Sequence, residues 1–161
     1  MKILRVLLLL GFFFLIAFNA SGQQISENAL GIRVGDNDGF GGEISYQYYV
    51  KDNNRLEFDL GFRNTEKVDA FKLVGLYQWV QNLDGNFNWF VGFGAGLGSF
   101  NDTSKDSSNG LFALIAGNLG IEYNFDIPLL VSLDIRPELG FNDNYSNGLD
   151  LDIALGIRYQ F

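Results

Sequence analysis

The chain has 161 residues, with 19 acidic against 11 basic side chains and a formal net charge of −8. It contains no histidine and no cysteine, which excludes disulfide-stapled secreted domains, lipid-modified lipoproteins and enzymes built on Ser-His, Asp-His or Cys-His machinery. The negative balance argues against nucleic acid as a partner, because phosphate binding needs a basic face.

The amino-terminal segment has the three parts of a secretory signal. Met1 to Arg5 is basic, Val6 to Phe18 is almost wholly apolar, and Ala20-Ser21-Gly22 supplies the small residues that a signal peptidase reads. About thirteen apolar residues are too few for a membrane anchor, the alternative interpretation. We therefore expect a cleaved signal peptide over residues 1–22, cut between Gly22 and Gln23, and a single domain over residues 23–161. The mature chain then keeps nine basic and nineteen acidic residues, a formal charge of −10.

Residues 23–161 divide into eight segments in which apolar and polar side chains alternate, as in strands with one apolar and one polar face. Most have nine or more residues, enough to cross a bilayer, whereas soluble strands average five to six. The connections after the second, fourth and sixth segments are short, and those after the fifth and seventh are longer and more polar. The segments lie at about Ala29–Gly35, Phe40–Val50, Arg55–Arg63, Ala70–Gln81, Phe87–Phe100, Gly110–Phe125, Leu129–Phe141 and Leu149–Phe161.

Three of these segments carry features of their own. In the second, Phe40 shares the apolar face of Ile44, Tyr46, Tyr48 and Val50. The fourth is ambiguous, because Val74 and Leu76 share a face with Lys72 and Gln78; we predict that Phe71, Leu73, Tyr77 and Trp79 point outward. The fifth carries Gly92, Gly94, Gly96 and Gly98 on one face, which makes room for large neighbours inside and lets the strand bend.

Pro137 falls on the apolar side of the seventh segment. Proline has no amide hydrogen to donate to a sheet. The sequence therefore predicts a bulge or a local gap in strand pairing there.

The last segment has the clearest pattern, because every odd position from Leu149 to Phe161 is apolar and every even position is polar, charged or small. A slip of one residue would turn Asp150, Asp152 and Arg158 outward. A basic residue on a lipid-facing surface costs about 2–4 kcal/mol at the bilayer midplane. We predict an all-β fold, an eight-stranded antiparallel up-and-down transmembrane β-barrel, closed because an open edge in lipid would leave backbone groups unpaired.

The polar faces then place six basic and eight acidic side chains in the lumen. An eight-stranded barrel is roughly filled by its own side chains, and unpaired buried charge is costly. We expect a network that plugs the barrel, with an ion or solute path as the alternative. Its predicted members are Arg33, Glu43, Arg55, Glu57, Asp59, Arg63, Lys72, Glu122, Asp134, Arg136, Glu138, Asp150, Asp152 and Arg158.

This pattern resembles the small eight-stranded outer-membrane barrel families, such as the OmpA transmembrane domain, OmpX and OmpW types. The resemblance implies a bacterial outer-membrane location, with outer-membrane lipid and lipopolysaccharide as contacts. Phe161 with Ile153, Leu155, Ile157 and Tyr159 at alternate positions before it is similar to the sorting signal that the barrel-assembly machinery recognises.

Function is expected to be non-enzymatic, with no catalytic residue, metal or cofactor, and to lie in envelope structure or in surface interaction with an unidentified ligand. A narrow porin-like or OmpW-like transporter of small solutes is the first alternative. A secreted soluble β-sandwich or lipocalin-like binder is the second, since soluble strands alternate as well.

Overall fold

The eight predicted strands form a closed barrel in a computed structural model, which describes residues 26–35, 40–51, 53–65, 68–102, 108–142 and 146–161. Each strand pairs antiparallel with its neighbours in the chain, and β8 pairs with β1, so the predicted fold class is confirmed. Within these residues no helix is long and apolar enough to cross a membrane. The strands are β1 (Asn28–Gly35), β2 (Gly42–Lys51), β3 (Asn54–Asn64), β4 (Val68–Asp84), β5 (Phe87–Asp102), β6 (Ser108–Asn124), β7 (Leu129–Asn142) and β8 (Ser146–Gln160).

The barrel has two different ends. At one, which we call the turn end, β2, β4 and β6 are followed by short connections, and Asn53 and Gly85 turn the chain with φ of 65° and 52°. Asn28 and Phe161 also meet at the turn end, where each amide nitrogen donates to the other residue's carbonyl oxygen. The opposite end, the loop end, carries the connections after β1, β3, β5 and β7.

The outward face of the wall is apolar. Along β8, Leu151, Ile153, Leu155, Ile157 and Tyr159 are exposed, while Asp152, Ala154, Gly156 and Arg158 between them are buried. Exposed leucine, isoleucine, valine and phenylalanine side chains continue around all eight strands. A stacked-sheet sandwich or a lipocalin-like binder would bury these side chains between its layers or inside its barrel, so the soluble alternative is wrong.

Aromatic side chains gather at the turn end of this surface. The rings of Tyr77 and Trp79 lie 5.2 Å apart between centroids, and those of Tyr123 and Phe125 lie 4.7 Å apart. Tyr and Trp favour the boundary between hydrocarbon and water, where an apolar ring and a polar tip are both accommodated. The turn end therefore has an aromatic girdle.

The ambiguous fourth segment takes the predicted orientation in β4. Phe71, Leu73 and Trp79 are exposed, and Val74 and Leu76 point into the lumen together with Lys72. The strand is also longer than the pattern indicated, because its first residues, Val68 and Asp69, pair with the last residues of β5.

Phe40 corrects the prediction for the second segment. It lies before β2 and is buried in an apolar cluster inside the barrel instead of facing outward with Ile44. Gly41 adopts a left-handed conformation with φ of 71°, which turns the chain between Phe40 and the strand. Gly61 leaves the space that the ring occupies, because a Cβ atom there would come within 3.0 Å of Phe40 Cδ1.

The glycine face of β5 accommodates large neighbours, as predicted. A Cβ atom added at Gly98 would overlap the ring of Phe112, and one at Gly96 would lie 3.1 Å from Leu114 Cδ1. Phe112 and Leu114 are buried in the same cluster as Phe40. The missing side chains of β5 thus make room for an apolar cluster on the β4–β6 side of the lumen.

The pairing of β6 with β7 has a local gap at Pro137. The sequence predicted either a bulge or such a gap. Ala116 pairs with Glu138 and Leu119 with Ile135, but the two positions between them are unpaired on this ladder. The register is the same on both sides of the gap, so the alternative outcome, a bulge, is wrong. The gap follows from the missing proline amide, which leaves the Gly117 carbonyl without its ladder partner.

Candidate functional site: a charge network inside the barrel

Strand alternation carries twelve charged side chains into the lumen. Each is at most 5 % exposed, so the interior is closed to solvent at these positions. The buried cations are Arg33, Arg55, Lys72, Arg136 and Arg158, and the buried carboxylates are Glu43, Glu57, Asp59, Glu122, Asp134, Glu138 and Asp152. Five cations against seven carboxylates leave the described lumen with an excess of negative charge.

Arg33 joins three strands across the lumen. Its Nη2 lies 2.7 Å from Asp134 Oδ1 on β7, and its Nη1 lies 3.0 Å from Glu43 Oε2 on β2 and also contacts Asp152 on β8. The planar guanidinium suits this role, because its fork of donors can satisfy several carboxylates at once.

Arg136 is a second hub. Four carboxylates surround its guanidinium, and Lys72 adds a second cation to two of them, Glu138 at 3.0 Å and Glu43 at 3.5 Å. The distances from Arg136 nitrogens are 2.9 Å to Asp59, 2.7 Å to Glu43, 2.7 Å to Glu138 and 3.3 Å to Asp152. Removal of this one side chain would leave four buried carboxylates short of a partner.

Uncharged polar side chains extend the network toward the turn end. Arg158 pairs with Glu57 at 3.3 Å and donates to the hydroxyl oxygens of Ser45 at 2.9 Å and Ser132 at 2.8 Å. Gln47 also donates to Glu57.

A second polar chain runs across β3, β4 and β6. Arg55 Nη2 lies 2.7 Å from Glu122 Oε2, and Arg55 Nε donates to Gln78 Oε1 at 2.6 Å. Gln78 donates to Asn118 at 2.7 Å, and Asn118 donates to Asp134 at 3.2 Å. This chain connects the Arg55–Glu122 pair to the Arg33 hub through Asp134.

Aromatic rings cover two of the cations. Lys72 Nζ lies 4.9 Å from the centroid of the Phe40 ring, and Arg55 Cζ lies 5.0 Å from that of Phe90. Desolvated cation–π contacts of this kind contribute about 2 kcal/mol each. Phe40 also belongs to the apolar cluster, so it joins that cluster to the charged hub.

Two predicted members of the network are not buried. Arg63 is only half-buried, one residue before β3 ends, and Asp150 is exposed near the start of β8. Both occupy lumen-facing positions of their strands, but the barrel opens to solvent at the loop end. Alternation gives the face of each residue but no information on its height in the barrel.

The sequence prediction also omitted participants. Gln78 and Asn118 link Arg55 to Asp134 by hydrogen bonds, Ser45 and Ser132 accept hydrogen bonds from Arg158, and all four are buried. Their lumen-facing positions were readable from alternation. A search restricted to charged residues could not include them.

A cavity beside the Arg55–Glu122 pair is too small for a solute. A cavity between Gln47, Arg55, Glu122 and Leu130 has a volume of about 10 Å³, the space of a single water molecule. A larger cavity of about 700 Å³ lies at the loop end of β3–β6, lined in part by Phe62, Phe71 and Leu111. None of the twelve buried charged residues lines this larger cavity.

The described residues hold no group of three or more aspartate or glutamate side chains placed to bind a metal ion. The carboxylates are instead distributed around guanidinium and ammonium groups. This chemistry holds the strands together across the lumen, and its negative excess disfavours anions.

A closed wall that is apolar outside and charged inside defines an eight-stranded transmembrane β-barrel. Among solved structures, the chain is similar to the N-terminal β-barrel domain of Pseudomonas aeruginosa OprF, with a TM-score of 0.67 and 12 % identity over 86 % of this chain and 100 % of that one. It is also similar to Neisserial surface protein A, with a TM-score of 0.60 and 12 % identity over 83 % of this chain and 94 % of that one.

A third similar structure is Ail, the attachment invasion locus protein of Yersinia pestis, with a TM-score of 0.55 and 16 % identity over 85 % of this chain and 100 % of that one. No protein-family model and no curated protein matches the sequence. At these identities the likeness shows the fold, which is that of the small outer-membrane barrels.

Proposed function

We propose that the chain is a non-enzymatic integral protein of a bacterial outer membrane, with a plugged lumen and a role in envelope structure or in surface interaction through its loop end. The observation that carries the proposal is the filled lumen, in which ion pairs and hydrogen bonds join strands that are not neighbours and, between Arg136 and Asp59, opposite walls. A barrel blocked in this way offers its outward face to lipid and its connections to the two compartments. Outer-membrane lipid and lipopolysaccharide are its proposed contacts.

Conductance across a planar bilayer tests the plugged lumen. The purified, refolded protein should give no discrete current steps beyond the bilayer baseline. Reproducible openings would contradict the proposal and favour a narrow transporter, for which the interrupted β6–β7 ladder is the supporting observation. Because the lumen holds more carboxylates than cations, such openings would be selective for cations.

The export signal is part of the same proposal. Residues 1–22 would be removed on passage across the inner membrane, and the turn end would face the periplasm, since short periplasmic turns are usual in these barrels. Mass spectrometry of the protein from outer-membrane fractions should find an amino terminus at Gln23. A chain that retains Met1 would contradict the cleavage.

We propose further that the outward side chains of β8 form the sorting signal for the barrel-assembly machinery. Phe161, Tyr159, Ile157, Leu155 and Ile153 are all exposed on one face of the wall, and the rings of Tyr159 and Phe161 stack with centroids 6.2 Å apart. An exposed face is available to an assembly machine before the barrel closes.

Deletion of Phe161 should lower outer-membrane assembly more than it lowers the stability of barrels refolded in detergent. Deletion of the equally exposed Phe141 side chain by Phe141→Ala serves as the control, because it removes an outward ring from another strand. Equal losses in assembly and stability for the Phe161 deletion would argue against a sorting role.

A further inference from the structure

The barrel wall has unequal height around its circumference. β1 has 8 residues and β2 has 10, whereas β4 and β6 have 17 each. At about 3.3 Å per residue and a tilt of about 45°, β1 spans roughly 19 Å of the barrel axis and β6 roughly 40 Å. The short strands are neighbours, so the low wall is confined to one side.

The missing height lies at the loop end. β1 and β8 are held level at the turn end by the paired amides of Asn28 and Phe161. On the ladder between them the last described pair is Gly35 with Ala154, yet β8 continues to Ser146 and pairs with β7 throughout. Likewise β3 continues beyond its last pair with β2, Gly61 with Glu43, and pairs only with β4 there. A notch two strands wide therefore separates β8 from β3.

The apolar surface follows the same profile. On β1 it consists of Leu30, Ile32 and Val34, each about half exposed, which cover roughly 9 Å along the barrel axis. On β8 it extends from Leu149 to Phe161 and covers roughly 28 Å. A membrane barrel presents an apolar band about 25 Å tall, so β8 matches the hydrocarbon layer and β1 does not.

The connection between β1 and β2 supplies no side chain that could extend the apolar band. Residues 36–39 lie outside the described residues, and their sequence is Asp36-Asn37-Asp38-Gly39, without an apolar side chain. Phe40, the next residue, is buried in the lumen. Lipid tails at full thickness would therefore extend beyond the apolar side chains of β1, and contact of polar groups with hydrocarbon is costly.

We infer that the β1–β2 face is a lipid-remodelling surface, where the outer leaflet thins and lipid head groups descend to the level of Val34. The inference rests on the proposed outer-membrane location. Thinning relieves a short apolar band at a cost of fractions of a kcal/mol per Å of mismatch, which is less than burying unsatisfied polar groups in hydrocarbon. The partner of this face is the head-group layer of the outer leaflet, and the tall β4–β6 wall keeps the leaflet at normal thickness on the opposite side.

Single-cysteine spin labelling tests this inference without background, because the chain has no cysteine of its own. The loop-end pair is Val34→Cys on β1 and Ala95→Cys on β5, six and eight residues from the starts of their strands. The turn-end pair is Leu30→Cys and Val91→Cys, two and four residues from the same starts. All four side chains are exposed on the outward face, and each variant is first shown to fold by its mobility on an unboiled detergent gel.

The measurement is the collision rate of each nitroxide with oxygen and with the polar nickel complex Ni-EDDA in dioleoyl phosphatidylcholine vesicles. We expect the Val34 label to be several-fold more accessible to Ni-EDDA than the Ala95 label. The Leu30 and Val91 labels should be equally accessible to it. In thinner dilauroyl phosphatidylcholine vesicles the difference between Val34 and Ala95 should shrink.

Three results would overturn the inference. A difference in Ni-EDDA accessibility within both pairs of labels would mean that the whole barrel tilts. Equal accessibility within each pair would mean an apolar band of even height. Free access of Ni-EDDA to all four labels would overturn the proposed membrane location along with the inference. The first two results would leave that location intact.

Discussion

At the scale of single residues, Arg136 is the side chain whose loss the lumen tolerates least. Arg136→Met keeps the approximate volume and removes the charge that four buried carboxylates share. Breaking a buried ion pair typically costs 3–5 kcal/mol, and we expect a loss of about that size in the free energy of unfolding. Urea titration of the barrel in detergent micelles measures it. Arg63→Met, at the half-buried loop end, is the matched control, and an equal loss there would contradict a central role for Arg136.

Two glycines offer a second test at this scale. A Cβ atom at Gly94 would overlap the carbonyl oxygen of Gly75 on the next strand, whereas one at Gly75 would find its nearest neighbour, Phe58, at 3.5 Å. Gly94→Ala should therefore lower the free energy of unfolding by about 1–3 kcal/mol, as overpacking does, and Gly75→Ala should leave it nearly unchanged. Similar titration midpoints for the two variants would show that the wall adjusts at Gly94.

At the scale of strands, the β6–β7 ladder is weakened by Pro137. Pro137→Val supplies the missing amide donor opposite Gly117 and keeps an apolar side chain toward lipid. One regained hydrogen bond should raise the free energy of unfolding by about 1 kcal/mol. Ile135→Val, at an exposed β7 position whose pairing with Leu119 is intact, adds no backbone donor and serves as the control. Absence of any gain in Pro137→Val would mean that the Gly117 carbonyl is already satisfied by another donor.

At the scale of the whole molecule, closure makes the barrel a single cooperative unit. Every strand has two hydrogen-bonded neighbours, so no strand has a side that is unpaired along its whole length and from which detergent can peel the sheet. Unboiled protein should migrate on a dodecyl sulfate gel as a compact band that shifts after boiling. The Arg136→Met variant should lose the compact band at a lower temperature. A single mobility before and after boiling would contradict a closed, stable barrel.

Period-two alternation was sufficient to predict strand number, closure and the face of almost every residue. It was sufficient because only one register keeps side chains such as Asp152 and Arg158 away from lipid. The pattern did not reveal which charged side chains form ion pairs with each other. Arg33 and Asp134 are 101 residues apart and meet only because β8 closes against β1. Such contacts depend on the three-dimensional stagger of the strands, which a one-dimensional pattern does not contain.

The remaining errors have local causes. Phe40 enters the lumen because a left-handed glycine follows it and a glycine on β3 vacates the space, and neither condition shows in the alternation of β2. Val74 and Leu76 blurred the pattern of β4 because the lumen itself has an apolar side. Arg63 and Asp150 were placed with the buried charges because the sequence does not show where the barrel opens.

The pairing of β8 with β1 also sets a condition on how the protein is made. The two strands that complete the ring, β1 and β8, are the first and the last of the barrel. A chain without β8 is therefore an open sheet with two unpaired edges and one apolar face. Such an open sheet cannot close strand by strand. It would aggregate in water until the last strand is available. We therefore expect the ring to close in one concerted step, only after the last strand is available.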